Sequence, residues 1–237
     1  GSTILNAEQT GPVVDTGKSH FSRMADLTIT GGSQGGINCS SNTGSMFNTC
    51  LITGNQNDYA GGGVICNSHT TTVFENCVIS SNTTSESGGG VYSSLSGNLF
   101  TNCEIYNNTS ETGGGVYSGR SHMIFRDCII RDNETEITGG GVTLWRSTTQ
   151  LVNCVIEDNV SDCGGGIRLT IDDRSKVTNC IIRGNHAISE GGGINCEGSE
   201  PALTNNLIIG NSSGVTGGGF HFRYASPVIT NCTVSSN

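Results

Sequence analysis

The chain has 237 residues, of which 36 are glycine, 11 cysteine and 3 proline, and only 13% are charged. Helix-building Ala, Leu, Lys and Glu are scarce, which argues against helical packing. The formal net charge of −9 repels nucleic acid and anionic membranes, and no run approaches the roughly 18 apolar residues of a membrane span. Asn, Ser, Thr and Gly alternate with Val, Ile and Phe, which suits many short strands joined by tight turns, and the fixed spacing of the apolar residues excludes disorder.

In chain order, residues 1–32 read as a first coil. Gly1-Ser2 reads as the remnant of a cleaved tag, so the N-terminus carries no information about export. From 33 to 237 one unit of about 26 residues repeats. Its cysteine column runs Cys50, Cys77, Cys103, Cys128, Cys154, Cys180, Asn206 and Cys232. The last residue of each glycine triplet falls at Gly63, Gly90, Gly115, Gly141, Gly166, Gly193 and Gly219, with a shorter relative at Gly36. An asparagine five residues past the cysteine column recurs without exception, from Asn55 through Asn133 to Asn237. The chain ends where another glycine block is due, an expectation of truncation from a longer protein.

Each repeat predicts three strands. The first follows the glycines, with Val64, Val91 or Val142 pointing inward; the second ends in an inward Phe47, Phe74, Phe100 or Phe125; the third carries the inward cysteine and then an Ile such as Ile79 or Ile105. Phe and Cys are three apart yet both apolar, which a period-two strand cannot accommodate, so the chain turns at the residue before the cysteine. That column is Thr49, Asn76, Asn102, Asp127, Asn153, Asn179, Asn205 and Asn231, types that tolerate a left-handed corner. The recurrent asparagine marks a second corner and glycine the third. One coil cannot bury its own apolar side chains; stacking creates the core.

The GGG[IV] and F-x-N-C-x-I-x-x-N elements resemble the repeats of right-handed parallel β-helix proteins of the polymorphic outer membrane protein type. That resemblance implies an all-β, single-stranded right-handed parallel β-helix, a solenoid of about eight to nine coils with three strands each. It implies an extracellular or bacterial cell-surface location and a non-catalytic, stalk- or adhesin-like module whose partner is carbohydrate or another surface protein. The alternative is a polysaccharide-active enzyme (lyase, hydrolase or epimerase), or a fragment of one, because this coil supports those activities too.

Pectate-lyase-like helices place substrate on the outer face of the strand that follows the glycines here. The outward positions of that strand include Tyr92, Tyr117, Trp145, Arg168, His221 and Arg223. Flat rings pack on sugar faces and polar groups fix hydroxyls, although Tyr and Trp also suit exposed strands by propensity. For catalysis, Asp172, Asp173 and Arg174 are the weak candidates, a carboxylate pair beside a guanidinium. The aspartate clusters with Gly-His-Gly or Arg-x-Lys expected of pectate lyases and polygalacturonases are missing. No cofactor is implied, except that Asp132, Asp158 and Glu134 would offer calcium an oxygen site. The cysteine column reads as small buried hydrophobes; Cys39 and Cys66, on another inward column of adjacent coils, are the candidate disulfide. On the third strand, Arg131, Glu157 and Arg183 predict an alternating charge stack. Beside it lies an apolar stripe from Leu51 and Val78 to Ile181 and Leu207, which would suit a partner surface.

Overall fold

The computed structural model describes residues 3–8, 10–17, 21–40 and 44–237, so Gly1 and Ser2 lie outside it. The chain winds into an all-β parallel solenoid of about nine turns, built from four sheets of ten, nine, nine and seven strands. The cysteine sheet holds strands such as Val78–Ser80 and Glu104–Tyr106. The phenylalanine sheet holds Val73–Glu75 and Leu99–Thr101, and the glycine sheet Val64–Asn67 and Val91–Ser94. Pairing is parallel, and within these three sheets it keeps strict register, Phe74 opposite Phe100 and Ile79 opposite Ile105. Residues 3–30 supply the first strands of the same sheets.

A fourth, shorter sheet adds to the three strands expected in each coil. It lies between the recurrent asparagine and the glycine triplet, in segments such as Thr83–Thr84, Thr109–Thr112 and Glu134–Thr138. Its inward column is Thr84, Ser110, Thr135, Ser161 and Ala187, all buried. These side chains are small and mostly polar, so no apolar alternation betrays the strand.

The predicted inward columns are buried. Phe47, Phe74, Phe100 and Phe125 form a continuous stack with ring centroids 4.6–5.1 Å apart. The corner before the cysteines is left-handed at every repeat, with φ from 52° to 56° between Thr49 and Asn231. On the last coil Ile229 and Val234, assigned inward, are 42% and 48% exposed because nothing in the structure stacks on them.

The recurrent asparagines form a buried amide ladder. Asn82 Nδ2 donates to Asn108 Oδ1 at 3.1 Å and to the Ile52 carbonyl at 3.0 Å, while the Asn82 backbone N–H donates to the same Asn108 Oδ1 at 3.0 Å. The pattern repeats from Asn55 to Asn237, with side-chain steps of 2.8–3.1 Å. The asparagines before the cysteines form a second, exposed ladder, in which Asn102 donates to Asn76 and Asn153 to Asp127. Asp127 has no donor to pass on, so this ladder is interrupted.

The glycine triplet divides its labour. Its first residue is left-handed, as at Gly113 with φ 67°. Its third residue is excluded from bearing a side chain by the next coil: a Cβ on Gly115 would stand 2.6 Å from the Gly141 carbonyl and 2.9 Å from Asn133 Nδ2. Backbone at that distance cannot yield, so Gly115→Ala should cost about 3 kcal/mol. Gly198→Ala meets nothing within 4 Å and carries only the left-handed penalty at φ 56°, about 1 kcal/mol. Urea denaturation of the two variants should give that order.

Candidate functional site

Side chains on the glycine sheet alternate in and out, and register aligns the outward ones into columns along the rod. Tyr92 and Tyr117 are opposite each other on adjacent strands, and their rings stack with centroids 5.4 Å apart and planes 4° from parallel. Burial against its neighbours, with Tyr92 adding to the effect, raises the Tyr117 phenol above its usual pKa. One coil on, Trp145 pairs with Gly119. The missing Cβ at Gly119 leaves the Tyr117 ring and Trp145 on either side of a shared gap, 3.0 Å and 3.5 Å from where that atom would be. Two guanidiniums complete the patch, with Arg120 Cζ 4.8 Å and Arg146 Cζ 5.4 Å from the Trp145 ring. Both arginines sit at left-handed corners, φ 49° and 51°. The repeat pattern assigns those corners to a variable loop, and that is why sequence reasoning passed over them.

Arg168, His221 and Arg223 lie further along the same sheet, and the structure does not bring them to the aromatic patch. Arg168 is almost buried; it donates to Asn195 Oδ1 at 2.5 Å and pairs with Glu197. Arg223 shares Glu197 at 3.5 Å, and His221 Nδ1 lies 3.3 Å from Glu190. Opposite charges on neighbouring parallel strands pair before they reach solvent. Glu190 and Glu197, which sequence reasoning did not single out, thus divide the expected sugar-facing set into an aromatic half and a half that faces acids.

The catalytic trio diverges. The loop carries one residue more than its neighbours, and Ile171 and Asp172 are consecutively left-handed, φ 53° and 56°. Asp172 and Arg174 are exposed, Arg174 reaching Glu200 at 3.5 Å, whereas Asp173 is fully buried. Asp173 occupies the column of Ser121, Ser147 and Ser199. It accepts the N–H of Ser147 at 2.8 Å and of Ser175 at 2.9 Å. Desolvation outweighs these bonds and raises its pKa. The two carboxylates therefore face opposite sides of the coil wall.

Asp132 and Asp158 occupy left-handed corners on adjacent coils. Asp132 is paired with Arg131 at 2.5 Å, and Glu134 points outward on the short sheet. Among the described residues no group of three or more His, Cys, Asp or Glu converges where a metal ion would be held. The predicted charge stack is half realised: Arg183 pairs with Glu157 at 2.6 Å, but Arg131 turns instead to Glu104 at 2.7 Å and lies over the Tyr106 ring. The apolar stripe is half-buried from Leu51 to Leu207, except for the more exposed Ile129.

Cys39 and Cys66 are buried directly opposite each other on adjacent strands, as free thiols. In the main cysteine column each thiol donates to a carbonyl of the preceding coil, Cys103 to Phe74 at 3.5 Å and Cys180 to Leu151 at 3.5 Å. Asn206 fits this column because its Nδ2 makes the same bond to the Val177 carbonyl at 2.8 Å. Burial pushes the Cys196 thiol up to about 12. A groove of about 520 Å³ opens at the N-terminal end of the glycine sheet, between Asn38, Ile65, Asn67 and the Asn57–Tyr59 corner.

The family model for the right handed beta helix region matches residues 1–156 and again 113–237. The chain belongs to that family. Its two overlapping matches follow from the repeat, and the family includes both enzymes and non-catalytic surface proteins. A search of curated proteins returned no match. Among the described residues no helix is long and apolar enough to cross a membrane.

The buried carboxyl predicts a pH effect. Its folded pKa lies above the unfolded value of about 3.9, so its contribution is fully present below that pH and is lost as pH rises through the folded pKa. Asp173→Ser, which restores the column residue, should therefore gain stability over the parent as pH rises from about 4 to the raised folded pKa and then level off, with a limiting slope of about 1.4 kcal/mol per unit. Denaturation midpoints across that range check it.

Proposed function

We propose that this chain is a non-catalytic β-helix module of the extracellular or cell-surface kind, stalk- or adhesin-like, that contacts carbohydrate along the outer face of its glycine sheet. The observation that carries this reading is the aromatic patch, the Tyr92 and Tyr117 stack with Trp145 one coil on in the neighbouring outward column. The two tyrosine rings are fixed one coil apart on a rigid support with the indole beside them, and aromatic surface so held packs against the apolar faces of sugar rings with little entropy to lose. The rod suits display, because every coil repeats the same outward columns at a fixed step. A polysaccharide-active enzyme on this face would need groups other than Asp172, Asp173 and Arg174, whose side chains do not converge.

Trp145 is the only tryptophan, so its fluorescence reports directly on this face. Titration with a panel of soluble polysaccharides should shift its emission for at least one of them. Tyr117→Ala should weaken that binding about three- to tenfold, the worth of one aromatic contact. Absence of any spectral change and of any retention on immobilised polysaccharide would count against the reading, and release of new reducing ends or unsaturated products would contradict its non-catalytic part.

A further inference from the structure

The two arginines beside Trp145 differ from every other arginine on the glycine sheet. Arg168 and Arg223 are held by Glu197, whereas Arg120 and Arg146 make no ion pair among the described residues. They occupy successive coils at one corner, with uncharged Leu95 on the coil before and Ile171 on the coil after. Asp172, the residue after Ile171, is exposed and pairs with neither arginine. Adjacent parallel strands are about 4.8 Å apart, so two like charges repeat at the coil step, an arrangement that repels itself until an anion lies between them. This occurs on a chain of net charge −9. A guanidinium stacked on an indole still presents its N–H edge, in the fork geometry that matches carboxylate or sulfate oxygens.

We propose that the Tyr92, Tyr117 and Trp145 platform, with Arg120 and Arg146 at its edge, is a site for an anionic polysaccharide. This rests on the carbohydrate-contact reading above and specifies its ligand. The sugar chain lies along the rod axis across the aromatic patch. Its carboxylate or sulfate groups, which recur along the chain, fall to the two guanidiniums in turn. Arg168 and Arg223 take no part, because Glu197 already satisfies them.

The test compares polygalacturonate, dextran sulfate and uncharged dextran as probes for the parent and for the Arg120→Gln, Arg146→Gln double variant. Both side chains are exposed, and circular dichroism checks that the fold is retained. The parent should bind at least one polyanion about tenfold or more tightly than dextran, with affinity falling as salt rises, and the double variant should lose about that factor for the polyanion alone. The two polyanions distinguish carboxylate from sulfate recognition. Equal affinity for charged and uncharged chains, or a double variant that binds polyanions as the parent does, would overturn this inference while leaving the carbohydrate reading in place. No binding to any polysaccharide would remove both. Equal retention on a single-stranded oligonucleotide would reassign the site from glycans to polyanions in general.

Discussion

The amide ladder running from Asn55 to Asn237 sets the terms for the rest of the molecule. From Asn82 onward each Oδ1 takes two hydrogens from the preceding coil and each Nδ2 gives two, so the side chain has little spare hydrogen-bonding capacity and little tolerance for displacement. That geometry holds only if successive coils are parallel and in register at this corner. It also explains a neighbouring column. The place where Gly63 or Gly115 would carry a Cβ is already filled, by Asn82 Nδ2 and the Ile79 methyl in one case and by Asn133 Nδ2 and Ile130 in the other. Asparagine, the third glycine and the inward isoleucine are therefore one constraint expressed at three positions.

Register imposed inside the coil is inherited outside it. Because Val91 pairs with Val116, Tyr92 must pair with Tyr117, and the next outward position brings Trp145 over Gly119. The surface is thus a set of columns whose content varies while its geometry does not. Where a column acquires opposite charges, as at Glu197 and Arg223, it closes on itself. Where it acquires rings and unpaired guanidiniums, it is left open to solvent and to a ligand with the same linear repeat. Function on such a rod is carried by departures from the repeat, since the repeat is committed to stacking.

Much of this was legible in the residues, for identifiable reasons. The left-handed corner before the cysteines followed from parity alone, because Phe74 and Cys77 are three apart and both buried. The columns of Phe, Cys, Ile and Val announced themselves by period. The short fourth sheet did not, because its inward residues, such as Ser110 and Thr135, are polar and small enough to fit under a glycine corner. The pairing of Asp172 with Asp173 misled for a different reason. The loop there bends through two left-handed residues, Ile171 and Asp172, and one inserted residue decided which of the two acids entered the wall. Arg131 chose Glu104 over Glu157 because two acids flank it on neighbouring strands and sequence does not rank them. Arg120 and Arg146 were hidden in the corner, since a left-handed residue returns its side chain to a place that strand alternation does not predict.

The central claim is that the buried asparagine ladder, and not the exposed one, holds the coils in step. Its most direct test is the loss of stability on Asn133→Ala measured by urea denaturation, with Asn153→Ala from the exposed ladder alongside. Removing the Asn133 amide strands the Asn108 N–H and the Ile105 carbonyl inside the coil, which should cost about 3 kcal/mol, whereas the exposed substitution should cost about 1 kcal/mol at most, from placing Ala at a left-handed corner. Equal and small losses for the two variants would contradict the account.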